Sequence, residues 1–317
     1  GKTGVVVNAD GVDNSGKVVS EGVVFFGVGS DGFSNDGEIE TNKNLDVLSD
    51  KDVVNTGLLS SFQGLTVTAL GDVSNTNGVI QANGALTIKA NGSVVNSELS
   101  TIYSNNNVYL ESGFDIKNNG SEVIGGTVEF VALGGDIENS NSSLIQSNSS
   151  LILSATESFL NYNSDIYALG LLNISGYSLS NNQGYIGSKE LITVQAEDIV
   201  NNSGEIVSEK AVSVQGNDFT NSGLVSALTS LSIEANGITN KDNNEEGKGL
   251  VSGGEINLVS ESGDIINEAG KIHADGQISL QTNKDVLNLG TDSNIIALEK
   301  IDVNSKGNFI NEGVLGS

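Results

Sequence analysis

Acidic side chains recur at one phase of this sequence. Asp52, Asp72, Asp115, Asp136, Asp198, Asp218, Asp264 and Asp285 each stand three positions before an Asn. They form four pairs, with partners 20 or 21 residues apart. If that interval is one coil of a stack, the two carboxylates of a pair lie about 5 Å apart. Such a pair offers part of the oxygen shell that Ca²⁺ takes. The same residue type also caps turns, its carboxylate accepting nearby N–H groups. Other coils carry Gly or Ser at this phase, and the Gly-Gly-x-Gly-x-Asp calcium repeat is missing, so the turn reading is preferred and no metal or other cofactor is expected.

Tyrosines are the next candidates. Tyr103, Tyr109, Tyr162, Tyr167 and Tyr185 fall at outward phases or in turns, and exposed Tyr offers rigid contact area to a glycan or protein. The segment SELSTIYSNNN, residues 97–107, breaks the local pattern by lacking a Gly. A polar insertion, KDNNEEGKG at 241–249, supplies Asn243, Glu245 and Glu246 as possible partner contacts, since solenoids carry function on such loops. The single His, His273, lies between inward Ile272 and Ala274 and therefore points outward. Alone it makes neither a triad nor a metal site.

A polysaccharide-cleaving enzyme needs carboxylates at a set separation, a base or cation, and aromatic platforms. Carboxylates are plentiful, but the chain has no Arg, no Trp and one isolated His, so no catalytic residue is assigned. With 40 acidic residues against 14 Lys the net charge is −26, which excludes nucleic acid as a partner. No apolar run approaches the ~20 residues of a membrane-spanning helix, and membrane insertion is not expected. Absence of Cys removes disulfides and thiolate metal sites.

What positions these residues is a repeat. An Asn anchors each copy: Asn14, Asn35, Asn55, Asn75, Asn96, Asn118, Asn139, Asn161, Asn181, Asn201, Asn221, Asn240, Asn267, Asn288 and Asn311. Intervals run from 19 to 23 residues, with one of 27 at the insertion, and two positions before every anchor the residue is apolar. A Gly follows most anchors, then an apolar-x-small stretch such as Ile80-x-Ala82, then Leu86-x-Ile88-x-Ala90. All of it alternates with period two, as half-buried strands do.

Such a coil orders about 20 residues at roughly 1–2 kcal/mol each, and five or six inward Val, Ile or Leu cannot offset that alone. Stacking must supply the rest. The pattern therefore predicts an all-β, right-handed parallel β-helix of about fifteen coils over 1–317, one repeat segment roughly 70 Å long. The anchor Asn is expected in a left-handed turn conformation, bonding to backbone and stacking into an amide ladder.

These anchors, and NTNGVIQANGALTIKA at 75–90 above all, resemble the haemagglutinin repeats of filamentous haemagglutinins and of contact-dependent growth inhibition exoproteins. The resemblance spans about 5–315. It implies a bacterial surface or secreted protein, exported by an outer-membrane two-partner secretion transporter. Its segment would be a stalk holding distal regions away from the cell, the parent protein engaging a receptor or glycan on a host or target cell. The residues leave two alternatives open: a receptor- or glycan-binding module using the Tyr-bearing coils and the insertion, and more remotely a polysaccharide-cleaving enzyme.

Overall fold

The computed structural model describes residues 4–241 and 248–317. Described residues form strands and turns without a helix, and parallel pairing of each strand with its copy one repeat on makes a β-solenoid of about fifteen turns. Contacts group the chain into two units, Gly1–Ser158 with Ser164–Ile166, and Phe159–Asn163 with Tyr167–Ser317.

Each coil has three strands, exemplified in the first unit by Val73–Thr76, Val79–Ala82 and Leu86–Ala90. We call them the anchor, short and long strands. In the long strands Leu45, Leu65, Leu86, Val108 and Val128 are in register, and so are Val47, Val67, Ile88, Leu110 and Phe130. Phe33, Val53, Val73, Val94, Ile116 and Ile137 stack likewise in the anchor strands. All these side chains are buried.

The inward set of a coil is smaller than the sequence suggests. Between Val73 and Ala90 the buried apolar residues are Val73, Ile80, Leu86 and Ile88, with Ala82 and Ala90 at the narrow corners. Four large side chains rather than five or six leave more of the stability to coil-to-coil hydrogen bonds. Where a corner residue is Ser, its hydroxyl holds the turn: Ser61 Oγ donates to the carbonyls of Lys43 (2.5 Å) and Gly64 (2.8 Å).

The anchors form the expected ladder. In the first unit each Asn Nδ2 donates to Oδ1 of the next anchor, from Asn14 through Asn35, Asn55, Asn75, Asn96 and Asn118 to Asn139, at 2.7–2.9 Å. In the second unit the run goes from Asn161 through Asn181, Asn201, Asn221, Asn240, Asn267 and Asn288 to Asn311, at 2.6–2.9 Å. Every bond points the same way, so the amide dipoles reinforce one another. Asn240 still meets Asn267 at 2.7 Å across the 27-residue interval, and the strands flanking the insertion, Gly237–Lys241 and Gly249–Ser252, keep register with their neighbours.

The expected backbone conformation of the anchors is wrong. No anchor has a positive φ; each lies in a strand with its amide inward. A left-handed anchor would turn that amide away from the ladder. The left-handed residue stands two positions later, as Asn77 (φ 53°), Asn163 (47°), Gln183 (55°), Ser203 (52°) and Ala269 (51°). It occurs where the turn is long. Where the short strand starts directly after a Gly two residues past the anchor, as at Gly37, Gly57 and Gly223, the turn has no left-handed residue, whereas Gly120 (φ 62°) and Gly290 (φ 89°), followed by further turn residues, are themselves left-handed. One extra residue brings one, and two extra residues bring two, Glu98 with Leu99 and Asn141 with Ser142.

At Gly78 and Gly204 glycine answers to space, not φ. A Cβ on Gly78 would lie 2.6 Å from Asn75 Oδ1, and one on Gly204 2.4 Å from Asn181 Nδ2. In segment 97–107 and the three coils after it, Ser takes this place as Ser100, Ser121, Ser143 and Ser164. The N–H groups of Ser100, Ser121 and Ser143 donate to the hydroxyls of Ser121, Ser143 and Ser164, each at 3.1 Å. What looked like irregularity is a second ladder.

Candidate functional site

The recurring Asp residues are built into the turns that enter the anchor strands. Asp52 Oδ1 accepts the N–H of Asp72 (2.9 Å), and Asp72 Oδ1 that of Ser93 (2.7 Å). Asp115 and Asp136 do the same for Asp136 (3.1 Å) and Ser158 (2.8 Å), and Asp264 and Asp285 for Asp285 (3.0 Å) and Asn308 (2.6 Å). Each of these six carboxylates thus caps the next coil with one of its oxygens. Asp198 and Asp218 are exposed neighbours in register. Among the described residues no group of three or more His, Cys, Asp or Glu could hold a metal ion.

Four of these caps, those of Asp52, Asp72, Asp115 and Asp285, meet a glycine one coil on, while Asp136 and Asp264 meet Glu157 and Lys284. A Cβ on Gly71 or Gly92 would lie 2.0 Å from the capping Oδ1 of Asp52 or Asp72, and one on Gly135 2.3 Å from that of Asp115. Burial alone would push the Asp115 carboxyl up. The Asp136 N–H and the Lys117 ammonium, 3.0 Å away, outweigh it and hold the pKa below the usual carboxylate value.

Of the five candidate tyrosines, three lie on short strands, one on a long strand and one on an anchor strand. Tyr103, on Thr101–Ser104, and Tyr167, on Asp165–Ala168, are outward and half-buried on short strands. Tyr185 starts the short strand Tyr185–Ser188, and its ring covers Gly187, where a Cβ would fall 2.3 Å from the ring. Tyr162 ends an anchor strand beside Asn161. Tyr109 lies on a long strand, with Lys89 Nζ 5.2 Å from its ring centroid and its phenol donating to Glu111. That bond, then burial and the charges of Glu111 and Glu129, push the Tyr109 pKa up to about 12. The phenol in turn lowers Glu111, helped by Lys89 at 3.1 Å.

Asn243, Glu245 and Glu246 lie outside the described residues. Just beyond them Lys248 Nζ donates to the Ser203 carbonyl at 3.0 Å. His273 is outward on Lys271–Ala274, with Nε2 3.4 Å from Asp275 Oδ1.

Four exposed aromatics escaped the sequence reading: Phe62, Phe114, Tyr177 and Phe309. Tyr177, 62% exposed, lies in the turn before Ser178–Asn182, and Phe62, 65% exposed, follows the corner Ser61. Counting phase past the small corner residue would have found Phe62, because Asn83 and Asn105 take the same step after Ala82 and Ser104. Comparison with protein-family models, curated proteins and solved structures finds no match for the chain.

Proposed function

We propose that this chain is a spacer: a stalk segment of a bacterial surface or secreted filament that holds other regions of its parent protein away from the cell. The reading rests foremost on the amide ladder, which runs through each unit without a missing rung and in one direction. A spacer needs repetitive stacking, low stickiness and charge, and the chain carries a net −26 with no Arg.

The proposal is non-enzymatic. Its one His sits on an outward strand position beside Asp275, and no Arg or Trp is available to shape a sugar cleft. Resemblance to filamentous haemagglutinin repeats supports placement outside the cell, with an outer-membrane two-partner secretion transporter as export partner. Receptor or glycan contact on the target cell then belongs to the parent protein.

Display between an outer-membrane anchor and a fluorescent tag tests this. Adding or removing whole coils should move the tag by roughly 4.8 Å per coil. Tag height independent of coil number, in chains that fold, contradicts the spacer reading.

A further inference from the structure

One corner of the first unit carries a feature that stacking does not explain. The short strands Glu38–Thr41, Leu58–Ser61, Val79–Ala82 and Thr101–Ser104 place Glu40, Ser60, Gln81 and Tyr103 in one outward column. Each strand closes on a small or short side chain, Thr41, Ser61, Ala82 or Ser104, and the surface dips there. Beyond the dip the turn residues Phe62, Asn83 and Asn105 form a second column. Between the two columns lies an open groove of about 550 Å³.

Its lining is ordered. Gln81 Nε2 donates to Ser60 Oγ at 3.1 Å. The Tyr103 phenol donates to the Asn105 amide oxygen, and the Asn105 amide donates to Asn83. Phe62 stands out at 65% exposure in a turn where the following coils carry Asn, leaving its apolar ring in solvent. Tyr103 and Phe62 are two coils apart, about 9.6 Å along the stack.

Two aromatic rings with amides, a hydroxyl and a carboxylate between them suit a ligand with apolar faces and polar rims. We propose that this groove binds a neutral oligosaccharide, with pyranose C–H faces on Phe62 and Tyr103 and hydroxyls on Gln81, Asn83 and Glu40. An acidic or sulfated glycan fits badly. Lys17, beside the groove, is held by Glu38 (2.5 Å) and Glu40 (2.7 Å), and the chain as a whole is strongly anionic. The groove does not depend on the spacer reading, and a stalk with or without it would hold the same height.

Saturation-transfer NMR on the whole chain tests the proposal, with neutral gluco-, galacto- and manno-tetrasaccharides at millimolar concentration and a sulfated tetrasaccharide for comparison. Transfer to ring C–H protons of at least one neutral series is expected, with affinity falling about tenfold or more in Phe62→Ala/Tyr103→Ala. Gln81→Leu, which keeps the bulk of the outward column, should weaken binding too. Unchanged thermal melting separates lost binding from lost fold. No transfer from any neutral series, transfer undiminished in these variants, or preference for the sulfated sugar overturns the proposal.

Discussion

Asn181 donates its amide to Asn201 Oδ1 at 2.8 Å, and both side chains are wholly buried. Asn201 passes the pattern on, donating to Asn221 Oδ1 (2.8 Å) and to the carbonyls of Gly204 (3.0 Å) and Leu224 (3.1 Å). Asn201→Ala leaves buried polar atoms unpaired on both sides, so a loss of about 2–4 kcal/mol is expected in urea unfolding. Asn201→Asp keeps the acceptor, loses the donors and buries a charge, and should lose more. Asn311→Ala, at an exposed anchor, should change little. A loss at Asn201 as small as that at Asn311 would show that the ladder contributes nothing.

Leu99 is left-handed (φ 62°) and 87% exposed, so its side chain gains nothing to offset the backbone strain. Leu99→Gly should stabilise the chain by roughly 0.5–1 kcal/mol, strain relief being partly offset by the freer unfolded chain. A loss of stability in the same unfolding measurement would contradict the turn geometry.

Asp52 and Gly71 are coupled across adjacent coils by the 2.0 Å approach a Cβ would make. Gly71→Ala should destabilise strongly in the native background and less in Asp52→Ala, giving a coupling of about 1–2 kcal/mol in a double-mutant cycle. Additive losses would mean that the capping carboxylate is not where the structure puts it.

Tyr109 has its pKa raised to about 12 in the folded chain, chiefly by Glu111. The folded state therefore holds this proton more tightly than the unfolded state does. The associated stability is fully present below the ordinary phenol value near 10, and is lost as pH rises from there through about 12. Ultraviolet titration should show a late phenol that disappears in Tyr109→Phe. Glu111→Gln should bring it forward.

These tests divide by what the sequence could carry. Asn201 and Ile199 were legible because period-two alternation and a fixed interval name the inward positions one by one. The coil, the parallel pairing and the ladder all follow from that phase. Gln183 and Ala269 were not legible as left-handed residues, since no side-chain preference marks them; only the spacing between anchor and Gly does. Ser100 read as irregular because a hydroxyl can replace Gly only where its neighbours Ser121 and Ser143 also offer one, and that relation spans coils. The carboxylate on Asp52 explains the glycine at 71 for the same reason. Phe62 and Tyr103 are 41 residues apart in sequence and share a groove through register alone.

The spacer account makes one demand above the others: the stacked coils must resist extension. Pulling the chain from its ends by optical tweezers measures this directly. The account predicts abrupt steps, each releasing whole coils at roughly 70 Å of contour per 20-residue coil, with Asn201→Ala lowering the force at which steps begin. Smooth extension at low force, as from a flexible tether, would contradict it.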